Sequence, residues 1–274
     1  MNKATTITPF NLAWAFLWRI VKERGKAILL APAVVVILLA GFAWIAYATP
    51  KLLTGPTMNA LKQYASQNYH DVSQAKGLMC AALFAQGPFF IAMLVALSAS
   101  GSASALITGE MRRGTFEILF SGVRDTSKLV FGLMLTATGI SLVDWVLCTV
   151  AAATVGALFV SFTGAWSLVN FGQFIYGFTL PIPLALLGTA GGTVLSLKWP
   201  WLAQNRVGTT GSVVQTIGTL PPILLLLYIT LNPSADVAAI VTFSWFLSLI
   251  LFILVCFGLA LGIKRTHFIG SSGV

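Results

Sequence analysis

AILLAPAVVVILLAGFAWIAYAT, residues 27–49, runs for 23 positions without one charged side chain. At about 1.5 Å per helical residue such a run crosses the roughly 30 Å hydrocarbon core of a bilayer. Trp44 and Tyr47, near its end, are placed for the membrane–water interface. Comparable apolar runs recur at 77–108, 129–162, 171–197, 212–231 and 237–263. Of the 274 residues only 8% are charged and 57% are hydrophobic, and the mean hydropathy is +0.91. A soluble domain carries about 25% charged residues, and a water-soluble fold of this size would lack the polar surface to cover so much apolar area. The composition therefore excludes a soluble enzyme, a nucleic-acid-binding domain and a disordered chain. It predicts an all-α polytopic membrane protein with six transmembrane helices in one transmembrane domain, 1–274.

Residues 8–25 precede the first span. Thr8-Pro9 suits a helix start, since proline is tolerated in the first turn. On a helix, Phe10, Trp14, Leu17, Trp18 and Val21 share one side, and Asn11, Ala15, Arg19, Lys22 and Lys26 the other. A Trp-bearing apolar face opposite a basic one suits a helix lying in the membrane interface. Gly25 is expected to end it. No small-residue cleavage site follows the first apolar run, so a secretory signal is not expected. The stretch 50–76, with Tyr64, Tyr69, His70 and Asp71, reads as a solvated external loop. Gly87-Pro88 should interrupt the second span, which tapers into the small-residue tract Ser98–Ala105, suited to close helix contact. The third run exceeds the roughly 20 residues a bilayer needs and reads as one long helix that projects past the membrane. Pro181 and Pro183 should kink the fourth span, and Pro221-Pro222 the fifth.

With six spans, thirteen of the sixteen Lys and Arg residues fall on one side, and Lys51, Lys62 and Lys76 on the other. The positive-inside bias then puts both termini in the cytoplasm, and it accounts for the net charge of +9 without invoking nucleic acid. Cys80, Cys148 and Cys256 each lie in an apolar run, far apart and without a partner motif, and read as small buried hydrophobes.

The densest charge lies between the second and third spans: Glu110, Arg112, Arg113, Glu117, Arg124, Asp125 and Lys128. A cytoplasmic helix predicted over 110–124 also carries Phe116, Ile118, Leu119 and Phe120, more apolar surface than a solvated loop needs. Two readings fit this segment. It is a docking element for a soluble partner, or a positive loop resting on the membrane.

The pattern Glu110-x-Arg112-x-Gly114-Thr115-x-Glu117-x-Leu119-x-Ser121, with Leu129-Val130-x-Gly132 opening the next span, resembles that of the ATP-binding-cassette (ABC) type-2 permeases. The amphipathic first helix, the six spans and the small-residue run Gly188–Ser196 extend the likeness along the chain. Leu133 follows Gly132 where the family usually has Lys, and the stretch after Ser121 has Val123 but no Pro. The resemblance implies the permease subunit of a bacterial ABC exporter in the cytoplasmic membrane, pairing with a second permease subunit, identical or homologous. A separate ABC ATPase subunit, holding ATP and Mg, would grip the coupling helix through Glu110, Arg112, Arg113, Gly114, Thr115, Phe116, Glu117, Leu119 and Phe120. Short members of the family mostly export amphipathic or hydrophobic substrates, such as drugs, antibiotics, peptides or lipids. The chain itself has no G-x-x-x-x-G-K-[ST] loop, so it is expected to bind no nucleotide and to be no enzyme.

Asp144 is the only acidic residue well inside an apolar run. A carboxylate there is expensive unless paired, hydrated or protonated. It is open to lining a pathway, binding a cationic substrate, relaying protons, or simply being satisfied by a neighbouring helix. Gln86, Gln173 and Gln215 are weaker candidates of the same kind, since a lone amide in a span is more often interhelical glue. His70 and His267 fall on opposite sides of the membrane and cannot share a metal. No H-E-x-x-H or G-x-S-x-G motif is present. A membrane anchor or assembly factor that docks an ATPase without transport is the alternative to a transporter, and a polytopic membrane enzyme is a third class.

Overall fold

The computed structural model describes residues 8–49, 56–69, 73–112, 126–203, 212–232 and 236–262. These form α1 (Pro9–Ile28), α2 (Leu30–Ala48), α3 (Pro56–Asn68), α4 (Gln74–Cys80), a π-helical segment (Ala81–Gln86) and α5 (Gly87–Arg112). There follow α6 (Thr126–Thr163), a 3₁₀ turn (Trp166–Leu168), α7 (Phe171–Thr179), α8 (Pro181–Lys198), α9 (Pro200–Ala203), α10 (Val213–Leu231) and α11 (Val237–Gly262). Five stretches, Leu30–Ala48, Gln74–Met111, Ser127–Thr163, Phe174–Lys198 and Ala238–Leu259, are long and apolar enough to cross a bilayer, and Val213–Ile229 is a shorter apolar helix. The chain is a multi-pass helical membrane protein.

The bundle is built around α5. Its Ala96, Ala99, Ser100 and Ala103 face Gly188 and Gly192 of α8, so closely that a Cβ on Gly192 would stand 2.8 Å from the Ser100 carbonyl oxygen. Small residues are what let two helix backbones approach to this degree inside a membrane. Ser100 also meets Gly218 of α10. One apolar core joins α2, α5 and α6 through Leu39, Ile91, Val95, Cys148 and Ala152. Another joins α5, α8 and α11 through Phe89, Leu184 and Val241. The outer face of α11 is apolar: Phe243, Phe246, Ile250, Leu254 and Phe257 are all exposed. Lipid, not water, suits such a face.

Several local features differ from the sequence reading. α1 continues through Gly25 to Ile28 and turns at Leu29. A glycine inside a helix costs only about 1 kcal/mol, less than the packing of Leu12, Phe16, Leu17 and Ile20 against Leu129, Val130, Leu133 and Met134 of α6 contributes. Arg19, placed on the basic face of α1, is engaged by Glu110, while Phe10, Trp14 and Trp18 of the apolar face stay exposed. The second span is not interrupted at Gly87-Pro88: α4, the π segment and α5 form one helical run. The π segment lies just before Pro88, whose ring nitrogen has no proton for the Phe84 carbonyl. Residues 56–69 are not a solvated loop, since Leu61 and Ala65 of α3 are buried against Ala46, Leu78 and Ala82. At Pro181 and Pro183, α7 and α8 meet in a turn at Leu180, whose backbone angles stay helical, within the one apolar run Phe174–Lys198. Proline at 181 cannot donate to the Gly177 carbonyl, which takes the Leu180 N–H at 3.1 Å instead. The Trp145 indole N–H ties this turn to α6 by donating to the Phe178 carbonyl at 2.8 Å.

Candidate functional site

Arg19 and Lys22 of α1, Lys128 of α6 and Lys198 of α8 lie toward one end of the bundle, the basic end, where α1 packs over α5, α6 and Leu197. Trp199 stacks under Lys198 there, with the ammonium 4.8 Å from the ring centroid. From this end a cleft of about 700 Å³ runs between α2, α5, α6 and α10. Sites for small molecules are commonly about 300–1,000 Å³. Val34, Leu94 and Leu97 give it apolar wall, and Ser102, Thr108 and Gln215 give it polar wall.

Asp144 lies at the inner part of the cleft. The buried stripe of α6 runs Ala137, Ser141, Asp144, Cys148, Ala152, at spacings of three and four. Asp144 falls in that stripe, so the same helical register that buries the apolar residues turns the carboxylate toward α5. It is 4% exposed. The Ser98 hydroxyl donates to Oδ2, while Oδ1 has no hydrogen-bond partner among the described residues. Ser98 precedes Thr108 by ten residues, about 15 Å along a helix. The carboxylate is therefore deep in the apolar bundle and not at its rim. Among the described residues that form the wall, Asp144 is the only one with an ionisable side chain.

Gln215 meets the same cleft. Its Oε1 accepts the Ser212 N–H at 2.9 Å and its own N–H donates to the Ser212 hydroxyl at 3.3 Å, a reciprocal cap that starts α10. The amide nitrogen is left against Gly101 of α5. Gln86 is buried in the π segment and does not reach the cleft wall. Gln173 lies in α7, and its side chain is outside the described residues.

Of the proposed coupling residues, Glu110 and Arg112 are in the last turn of α5. Arg113, Gly114, Thr115, Phe116, Glu117, Leu119 and Phe120 lie outside the described residues. The Glu110 side chain is only 3% exposed and accepts from the Arg19 guanidinium, which also lies 5.1 Å over the Phe16 ring. α1 thus holds the end of α5 by an ion pair and the start of α6 by apolar packing.

Two residues of this arrangement, Ser98 and Arg19, were not legible as site residues. Ser98 reads as one member of a small-residue tract, and Arg19 as part of a basic face. Their partners stand 46 and 91 positions away, a separation with no local signal. Among the described residues no three His, Cys, Asp or Glu side chains converge as metal ligands. The chain matches no family model, no curated protein and no solved structure. Among the described residues the cleft offers one carboxylate, a few hydroxyls, an amide and an apolar side, a set suited to reversible binding.

Proposed function

We propose that the chain is the membrane-spanning permease subunit of an ATP-driven ABC exporter in a bacterial cytoplasmic membrane. In this reading α10 is a sixth span and both termini are cytoplasmic. The observation that carries it is the cleft of about 700 Å³ that enters the apolar bundle from the basic end and reaches Asp144. A protein that merely anchors a partner has no need of a polar hollow at that depth, where unpaired polar groups are expensive.

The resemblance of 110–132 to the type-2 permeases supplies the motor: a separate ABC ATPase that grips the segment 110–124. The helix leading into that segment is α5, whose Leu94, Ser98, Gly101, Ser102 and Thr108 also form cleft wall. A push on the segment is therefore carried along one helix to the cavity. α1 makes the start of α6 follow, through Arg19–Glu110 and the packing of Phe16 on Leu129 and Leu133. Opening and closing the cytoplasmic mouth, in a pair of such subunits, would alternate access for an amphipathic or hydrophobic solute. The cofactors, ATP and Mg, belong to the partner.

Affinity purification of the gently solubilised chain from its native membranes tests the reading. An ABC ATPase is expected to co-purify and to be lost with Glu117→Arg, and addition of substrate should stimulate its ATP turnover. Recovery of no ATPase removes the coupled-exporter reading, and an ATPase that no solute stimulates favours the anchor.

A further inference from the structure

We infer that the cleft recognises a monovalent amphipathic organic cation, its charge held by Asp144 and its apolar body lying along Val34, Leu94 and Leu97. This rests on reading the cleft as a transport site and adds the charge of the solute. Three observations lead to it. Asp144 is 96% buried, has one oxygen without a hydrogen-bond partner among the described residues, and forms part of the cavity wall. Among the described residues of that wall none carries a positive charge, so a bound cation can supply the counter-charge. A buried carboxylate without its counter-ion is a strained arrangement that an incoming cation relieves.

The rest of the wall selects among cations. A divalent metal needs about six converging oxygen ligands, whereas here one carboxylate faces a cavity of about 700 Å³. That volume fits a body of many carbon atoms. The small residues Gly101, Ser102 and Ala105 leave the passage toward the basic end wide, with hydroxyls that solvate a moving charge without trapping it. An anion meets like charge at Asp144 and is disfavoured.

The test is equilibrium binding of tetraphenylphosphonium to the purified full chain in lipid nanodiscs, beside the neutral triphenylphosphine oxide. The native chain should bind the cation at least about tenfold more tightly than the neutral probe, or about 1.4 kcal/mol. Asp144→Asn should abolish that preference, and Asp144→Glu, equal in charge, should keep it, which separates lost charge from a lost fold. Equal affinity for the two probes in the native chain overturns the inference, as does an unchanged preference in Asp144→Asn. A chain that captures the ATPase but shows no cation preference loses the charge assignment alone. A chain that prefers the cation yet captures no ATPase keeps this site and loses the exporter reading.

Discussion

Gly191 and Gly192 are neighbours on α8 with opposite consequences. A Cβ on Gly192 would meet the Ser100 carbonyl oxygen at 2.8 Å and the Ser100 Cα at 3.0 Å, backbone atoms of α5 that cannot step aside. At Gly191 the space within 4 Å is open. Gly192→Ala is expected to destabilise the fold by about 1–3 kcal/mol, the usual range for overpacking. Gly191→Ala should stabilise it by about 0.5–1 kcal/mol, because alanine is the better helix former. Thermal unfolding of both variants in one detergent measures the contrast, and equal midpoints would mean that α5 and α8 are not in backbone contact. The small-residue run Gly188–Ser196 is plain in the sequence. Which of its glycines makes the contact depends on the rotation of α8 about its axis, and composition does not set that.

At the scale of elements, α3 shows how packing reassigns a polar stretch. Thirteen residues that read as a loop form a helix because Leu61 and Ala65, four apart, find Ala46 and Leu78 across from them. The same burial pushes the Tyr64 phenol above its ordinary 10.0. It pushes Tyr69 up as well, helped by the nearby Tyr64 and Cys80. A phenol that keeps its proton longer when folded contributes stability that is fully present below the unfolded value and is lost as pH rises through the folded one. The protein should therefore lose stability progressively above about pH 10, and the double variant Tyr64→Phe, Tyr69→Phe should flatten that loss. Unfolding midpoints of both proteins across the alkaline range decide it. Parallel curves would mean that the tyrosines do not carry the effect. Proline shows the converse: the residues at 88 and 181 both signal a disturbed helix, and the surroundings make one a π segment and the other a one-residue turn within a continuing span.

For the whole molecule, the arrangement makes a prediction about water. The cleft side of α5 should be wet and the outer face of α11 dry. In a chain with Cys80, Cys148 and Cys256 replaced by alanine, Ser102→Cys should react with a membrane-impermeant maleimide supplied from the side of the basic end. Phe246→Cys, exposed on α11, should not react from either side. Labelling of Ser102→Cys from the opposite side would invert the orientation, and no labelling at all would mean that the cleft is closed to water.

Hydropathy and charge are sums over neighbours in sequence. For that reason the membrane class, the helical character, the uneven distribution of Lys and Arg, and the oddity of Asp144 could all be read before any fold was known. Contacts between helices are not sums of that kind. That Ser98 meets Asp144, that Arg19 of the basic face meets Glu110, and that α2, α5, α6 and α10 part to leave a cleft depend on how helices far apart in sequence rotate and press together. Those rotations are chosen by the small residues of α5 and α8 and by the cores around them, so only the tertiary structure decided where a lone carboxylate and an open volume would coincide.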